Sequence, residues 1–146
     1  MSYNIIIGEP HTYLVNQDIN EERTEALEWS NDNAPAFGMP FDYVNECELS
    51  YSSWDSFFNI TKLNTVFYVD GSKEMKGSHP GYIEITEDIF NKINDIYKKY
   101  KNKYPNATPT FKSDFLVDKH LAKFEWLMWW INYSIKNNEV TIISNS

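Results

Sequence analysis

Between Thr86 and Tyr104 the apolar positions Ile89, Phe90, Ile93, Ile96, Tyr97, Tyr100 and Tyr104 recur three and four apart, which gives a helix one apolar face. Thr86 suits its N-cap and Asp88 its first turn; Pro105 stops it. Lys98, Lys99, Lys101 and Lys103 gather near its end, where the macrodipole favours cations. A second long helix is predicted over about Asp118 to Asn137. Leu121, Phe124, Met128, Ile131 and Ile135 form its core stripe, and Trp126, Trp130 and Tyr133 form another, with Leu127 and Trp129 between them. A helix apolar on most sides is buried or covers a partner, so this one is expected at the centre of the fold. Glu125 stands out on it and is expected at least half buried against a donor. A shorter helix is predicted to start at Ser52-Ser53-Trp54-Asp55, with Asp55 as the acid of its first turn, and to run to about Leu63. Its inner stripe is Trp54, Phe57, Phe58 and Thr61.

Strand signals are shorter. Tyr3–Ile7 and Thr12–Val15 flank Gly8-Glu9-Pro10-His11 and predict a hairpin. Thr24–Trp29 is a third strand with weak alternation, Thr65–Val69 favours a strand over a short helix, and Val140–Ile143 is a last short strand. Asn31 to Asp42, with Pro35, Gly38 and Pro40, reads as irregular loop. Asp70 to Glu84 reads as a long loop carrying Gly71, Gly77 and Gly81. The pattern contains no linker, repeat or low-complexity segment. It predicts an α+β fold, a small antiparallel sheet packed against two long helices and one shorter helix, in a single domain spanning residues 1–146.

Composition sharpens this outline. A chain of 146 residues fits one domain, and one of this size buries about 68–70% of its unfolded surface without staples. Aromatic residues make up 16% of the chain, so rings either fill the core or line a surface. The formal net charge of −8, with Arg23 as the single arginine, argues against general nucleic-acid binding. A lone cysteine, Cys47, cannot form an intramolecular disulfide and points to a reducing compartment. Glu46 and Glu48 beside it suppress thiolate formation. The first residues lack the pattern of a signal peptide, and the longest apolar stretch, Trp126 to Ile131, is too short to span a bilayer. A cytoplasmic protein with no membrane contact is expected.

Familiar catalytic and metal signatures are missing. His11, His79 and His120 have no local partner at zinc spacing, and Asn31-Asp32-Asn33 lacks the rest of a calcium loop. Ser78 and His79 are adjacent, which does not by itself bring the imidazole to the hydroxyl, and there is no Gly-x-Ser-x-Gly. No catalytic residue, metal or cofactor is therefore expected. Glu21, Glu22, Glu25 and Glu28 read as a solvated face. The best binding candidate is the loop from Lys73 to Tyr82. Its glycines allow close backbone approach, Lys73, Lys76 and His79 supply positive or donor groups, and Ser78 adds a hydroxyl. Tyr51 and Trp54, with Phe57 and Phe58, could stack on a base, an interaction of about 1–3 kcal/mol per base, although core packing is the stronger reading of these rings. The expected ligand site is therefore Tyr51, Trp54, Lys73, Lys76, Ser78, His79 and Trp130, with Ser78–Tyr82 lining the main pocket.

Three segments in order also carry a resemblance: Tyr51-Ser52-Ser53-Trp54 with Phe57, then Gly77-Ser78-His79-Pro80-Gly81, then the Trp126–Trp130 helix closing on Ile142 to Asn145-Ser146. Over nearly the whole chain this order resembles small proteins of bacteriophages and prophages. Those proteins show a Tyr-Ser-x-Trp segment, a His-Pro-Gly loop and a terminal Asn-Ser. That family has no established activity and transfers no catalytic role. The resemblance implies a viral origin, a place in the host cytoplasm and, by analogy with other small phage proteins, action against host antiviral defence. The function expected on that basis is non-catalytic capture of a small nucleotide-like signal molecule. Two alternatives stand beside it. One is a nucleotide-directed hydrolase using His79 as acid or base. The other is an acidic protein–protein inhibitor of a host defence protein. A homo-oligomer built on the tryptophan-rich helix is left open.

Overall fold

The run Ile5-Ile6-Ile7 is buried throughout, which marks a strand covered on both faces and sets it at the centre of a sheet. In the computed structural model, which describes residues 2–68 and 81–146, this run lies in β1 (Ser2–Gly8). It is followed by β2 (Pro10–Asn16), β3 (Glu21–Ala26), β4 (Glu46–Ser50), α1 (Tyr51–Thr61) and α2 (Asn64–Phe67). Then come β5 (Gly81–Glu84), α3 (Glu87–Lys103), α4 (Leu116–Asn137) and β6 (Ile142–Asn145). One antiparallel sheet has the order β4-β1-β6-β5, and β2 pairs with β3 in a second. The fold is α+β, with a small antiparallel sheet, two long helices and one shorter helix as the sequence predicts; α2 adds a single turn.

The predicted hairpin of β1 with β2 does not form. β1 pairs on one side with β4, Ile5 opposite Cys47, and on the other with β6, Ile7 opposite Ile143. β2 pairs with β3 instead, and the Thr12 and Thr24 hydroxyls meet at 2.6 Å. Gly8 shows why the chain leaves the sheet here. A Cβ at this position would lie 3.1 Å from Asn45 Nδ2 and 3.2 Å from the Leu27 carbonyl oxygen. The close approach serves Asn45, which is fully buried and ties three segments together. Its Nδ2 donates to Ile7 O at 2.8 Å and to Leu27 O at 2.7 Å, and its Oδ1 accepts from Trp29 N at 2.6 Å. β3 starts earlier than predicted, at Glu21, and stops at Ala26: beyond it Leu27 N donates to Glu9 O, while Leu27 O and Trp29 N are held by the Asn45 side chain.

Other boundaries move for local reasons. Ser50, not Ser52, caps α1, its Oγ accepting from Ser53 N at 3.2 Å, so Asp55 lies beyond the first turn. Where a strand is predicted over Thr65–Val69, residues 64–67 are helical: Phe67 N donates to Leu63 O and Tyr68 N to Asn64 O, both at 3.0 Å. Val66, Phe67 and Tyr68 are consecutive and all buried, which an alternating strand with one solvated face cannot achieve. Residue 69 lies outside the described residues. β5 occupies the end of the predicted long loop, with Gly81 and Ile83 inward and Tyr82 and Glu84 outward. β6 runs further than predicted because its polar residues find partners inside. Ser144 Oγ accepts from Ala26 N and Asn145 Oδ1 from Gly81 N, each at 3.1 Å.

Thr86 caps α3 as predicted, accepting from Ile89 N at 3.2 Å. α4 buries most of both stripes: Leu121, Phe124, Met128 and Ile131 on one, Trp126 and Trp130 on the other, with Tyr133 of the second half-buried. Ile135, predicted in the core stripe, is 43% exposed and lines a surface cleft with Phe90. Glu125 meets its expected donor: the Tyr97 hydroxyl donates to Oε1 at 2.6 Å, Lys101 Nζ lies at 3.8 Å, and the side chain is 22% exposed. Among the described residues no helix is long and apolar enough to cross a membrane.

Candidate functional site

Of the residues predicted to bind a ligand, Lys73, Lys76, Ser78 and His79 lie outside the described residues. Tyr51 opens α1 and is half-buried. Trp54 is fully buried, stacked on Phe58 at 5.7 Å and tilted against Trp126 at 6.3 Å. Trp130 is buried as well and meets Trp129 and Tyr133 edge-on at 4.8 and 5.6 Å. Both indoles are packed into the core in this conformation, and neither presents an open face on which a base can stack. Among the described residues Trp54 Nε1 has no hydrogen-bond acceptor.

The structure forms a cleft elsewhere, from residues that the sequence does not place together. α1 ends where Lys62 adopts φ 72° and turns the chain beside α3. Thr61, just before it, donates its hydroxyl to Phe57 O at 2.7 Å, and Thr65, just after, donates to Lys62 O at 2.7 Å. From α3 come Ile96, Lys99, Tyr100 and Lys103, spaced three and four apart on one helical face. Together with Ile60 and Tyr104 these residues enclose an open cleft of about 320 Å³. The Tyr100 hydroxyl donates to Val117 O at 2.8 Å, which fixes its ring as the floor, 5.0 Å from Tyr104.

Charge gives this cleft its character. Among the described residues no carboxylate lines it, and Lys62, Lys99 and Lys103 have no acidic partner there. Lys103 Nζ sits 5.5 Å from the Tyr104 ring centre. The C-terminal ends of α1 and α3 oppose the lysines with roughly −0.5 charge each. Three ammonium groups outweigh that sum, so the cleft is positive on a chain whose net charge is −8. Sequence spacing explains Lys99 and Lys103 as complements to the end of α3; only the turn at Lys62 makes them part of a concavity.

A second titratable cluster lies between α1 and α4. Lys123 is 2% exposed; its Nζ donates to Ser53 O at 2.9 Å and lies 3.4 Å from His120 Nδ1. The Phe57 and Phe111 rings stand 5.8 Å from the ammonium. Burial pushes Lys123 down to about 8, the Lys119 charge adding to the effect and Cys47 opposing it. Burial and the Lys123 charge push His120 down to about 4. Across the core, burial first and then Asp42 push the Cys47 thiol up to about 12, the direction that its flanking glutamates suggest. His120 Nε2 lies 3.3 Å from Ser56 Oγ. Because Lys123 donates at Nδ1, the ring proton belongs on Nε2, which then donates to Ser56 and cannot serve it as a base. The serine, histidine and lysine therefore fasten α1 to α4 rather than forming a nucleophilic relay. The sequence signal for this cluster is the three-residue spacing of His120 and Lys123 on an otherwise apolar helix.

Among the described residues no group of three or more His, Cys, Asp or Glu side chains is placed to hold a metal ion. No protein-family model matches the chain, and neither a curated protein nor a solved structure shows significant similarity to it.

Proposed function

We propose that this protein is a non-catalytic binding protein that captures a small phosphate-bearing, nucleotide-like anion in the cleft between α1 and α3. The observation that carries this reading is the set Lys62, Lys99 and Lys103, without acidic partners among the described residues, around a floor of Tyr100, Tyr104 and Ile96. Lysine acts on phosphate as a point charge, and the rings and Ile60 supply apolar surface for a base or sugar. A volume of about 320 Å³ sits at the small end of ligand clefts. The acidic remainder of the chain repels a long polyanion, which favours a small ligand over an oligonucleotide. Among the described residues no group suited to act as a general base near neutrality lines the cleft, and the Thr61 and Thr65 hydroxyls are already committed to backbone carbonyls. In the phage setting that the sequence resemblance implies, such a protein acts in the host cytoplasm as a sink for a nucleotide-like defence signal.

Calorimetric titration with ATP, inorganic pyrophosphate and adenosine tests this reading. ATP and pyrophosphate are expected to bind, more weakly as salt is raised, and adenosine is not. Combined replacement of Lys62, Lys99 and Lys103 by Ala is expected to weaken ATP about tenfold or more while leaving the melting temperature in place, because all three side chains are exposed. Binding of adenosine equal to that of ATP, or an unchanged triple variant, overturns it. Nucleotide recovered intact after incubation agrees with capture; a cleaved product moves the reading to the hydrolase alternative.

A further inference from the structure

Where α4 ends against the segment that follows β3 there is another open concavity, of about 350 Å³, with no residue in common with the lysine cleft. Trp29 and Tyr133 form its walls, their rings 6.2 Å apart at 74°, and Trp129 stacks on Tyr133 at 5.3 Å and 9°. All three rings are half-buried. Trp29 is held from behind by Asn45, which accepts from Trp29 N at 2.6 Å and donates its own N–H to Trp29 O at 3.1 Å. Glu28, Ser30, Asn137 and Asn138 complete the lining, and among the described residues no Lys, Arg or His belongs to it.

The charged features of this concavity share one sign. Asn137 Nδ2 donates to Tyr133 O at 2.7 Å and Asn138 Nδ2 to Ser134 Oγ at 3.1 Å. Each amide keeps its oxygen as an acceptor and one N–H as a donor, so these two side chains are neutral and adaptable, and the sign of the concavity is set by the groups around them. α4 is 22 residues long and Asn138 is its C-cap, so the concavity sits at a helix end carrying roughly −0.5 charge. Lys136, the basic residue of the last turn, lines the neighbouring cleft instead. Glu28 adds a carboxylate, and Glu46 and Glu25 stand close enough to interact with each other's charge. None of these three has a basic partner among the described residues. Burial first, then the Glu28 charge and a hydrogen bond with Glu28, hold the Glu46 carboxyl above its usual range. The ring faces are negative as well. A hard metal ion needs a shell of oxygens that two aromatic walls do not supply. An organic cation needs what is present: ring faces for its apolar substituents and diffuse negative charge for its nitrogen.

We propose that the Trp29–Tyr133 concavity binds an organic cation, its alkyl or planar surface against the rings and its charge between Glu28 and the C-terminal end of α4. The cation arrives either as a free quaternary amine or as the basic side chain of a protein. The test uses the intact chain and follows tryptophan fluorescence and indole N–H chemical shifts. Tetramethylammonium chloride and N-acetyl-arginine methylamide are titrated against sodium chloride at matched ionic strength. Both organic cations are expected to give a saturable change that sodium does not. Glu28→Gln and Trp29→Leu are each expected to weaken binding about tenfold. Tighter binding of tetramethylammonium identifies a small amine, and tighter binding of the arginine amide a protein side chain. A change reproduced by sodium chloride, or wild-type affinity in Glu28→Gln, overturns the proposal. Glu28 is exposed, so that variant keeps its fold even if Trp29→Leu does not.

Discussion

Lys123 carries an ammonium group into the protein with a backbone carbonyl and an imidazole as its hydrogen-bond partners. A charge buried in this way is expensive relative to an apolar side chain of similar length. Lys123→Met is therefore expected to raise stability by about 1–3 kcal/mol in urea unfolding at pH 7. The pH dependence provides a second signature. With a folded value of about 8 against 10.5 for the free side chain, the unfolded chain binds more protons between those limits. Stability from this residue accordingly rises as pH climbs from about 8 to 10.5. Cys47 acts in the opposite sense, its contribution being lost from 9.0 to about 12, and Tyr100 joins it above 10.0. The gap between wild type and Lys123→Met should thus narrow steadily above pH 8, and a gap that stays constant with pH would show Lys123 to be charged in the folded protein throughout. At this scale the sequence is partly legible. Glu125 on an apolar helix already points to a buried acid with a donor. The partner, Tyr97, comes from a different helix, and spacing along one helix cannot name it.

Between elements, legibility follows length. α3 repeats its apolar period over several turns, so its cap and its end are readable to within a residue. β4 turns only Cys47 and Leu49 inward, and two residues are too few to outweigh the glutamates between and before them. The tryptophans of α4 read correctly as mainly interior, and for the same reason Trp54 and Trp130 present no stacking face. The lysine cleft escapes reading because it needs the left-handed turn at Lys62, a conformation that lysine does not advertise. The joint between α3 and α4 can be probed at Tyr97. Tyr97→Phe removes the donor to Glu125 and leaves Lys101 at 3.8 Å as the remaining contact. A loss of about 1–2 kcal/mol in thermal or urea unfolding is expected.

For the whole molecule the decisive residue is Asn45, because one side chain joins β1, the end of β3 and the segment bearing Trp29. Asn45→Ala leaves Ile7 O, Leu27 O and Trp29 N short of a partner at a fully buried position. The expected loss is about 2–4 kcal/mol, measured by chemical unfolding. Hydrogen exchange should rise first at Leu27 and Trp29, and the organic-cation response should fall with it, since Asn45 braces one wall of that concavity. The sequence shows only an asparagine before a short strand, and its reach across three segments is a property of topology.

The strand order has a consequence in time. β6 is translated after the other five strands described, yet it lies between β1 and β5 and bonds to both. A ribosome adding about 5–20 residues per second needs roughly 7–29 s for 146 residues. Throughout most of that interval the edge of β1 that β6 will cover, with its three isoleucines, has no partner. Helix α4 can coil as it emerges, but the sheet beneath it cannot close. The nascent chain thus carries an open apolar edge until translation reaches β6, and that edge is a place for a chaperone to bind or for aggregation to begin.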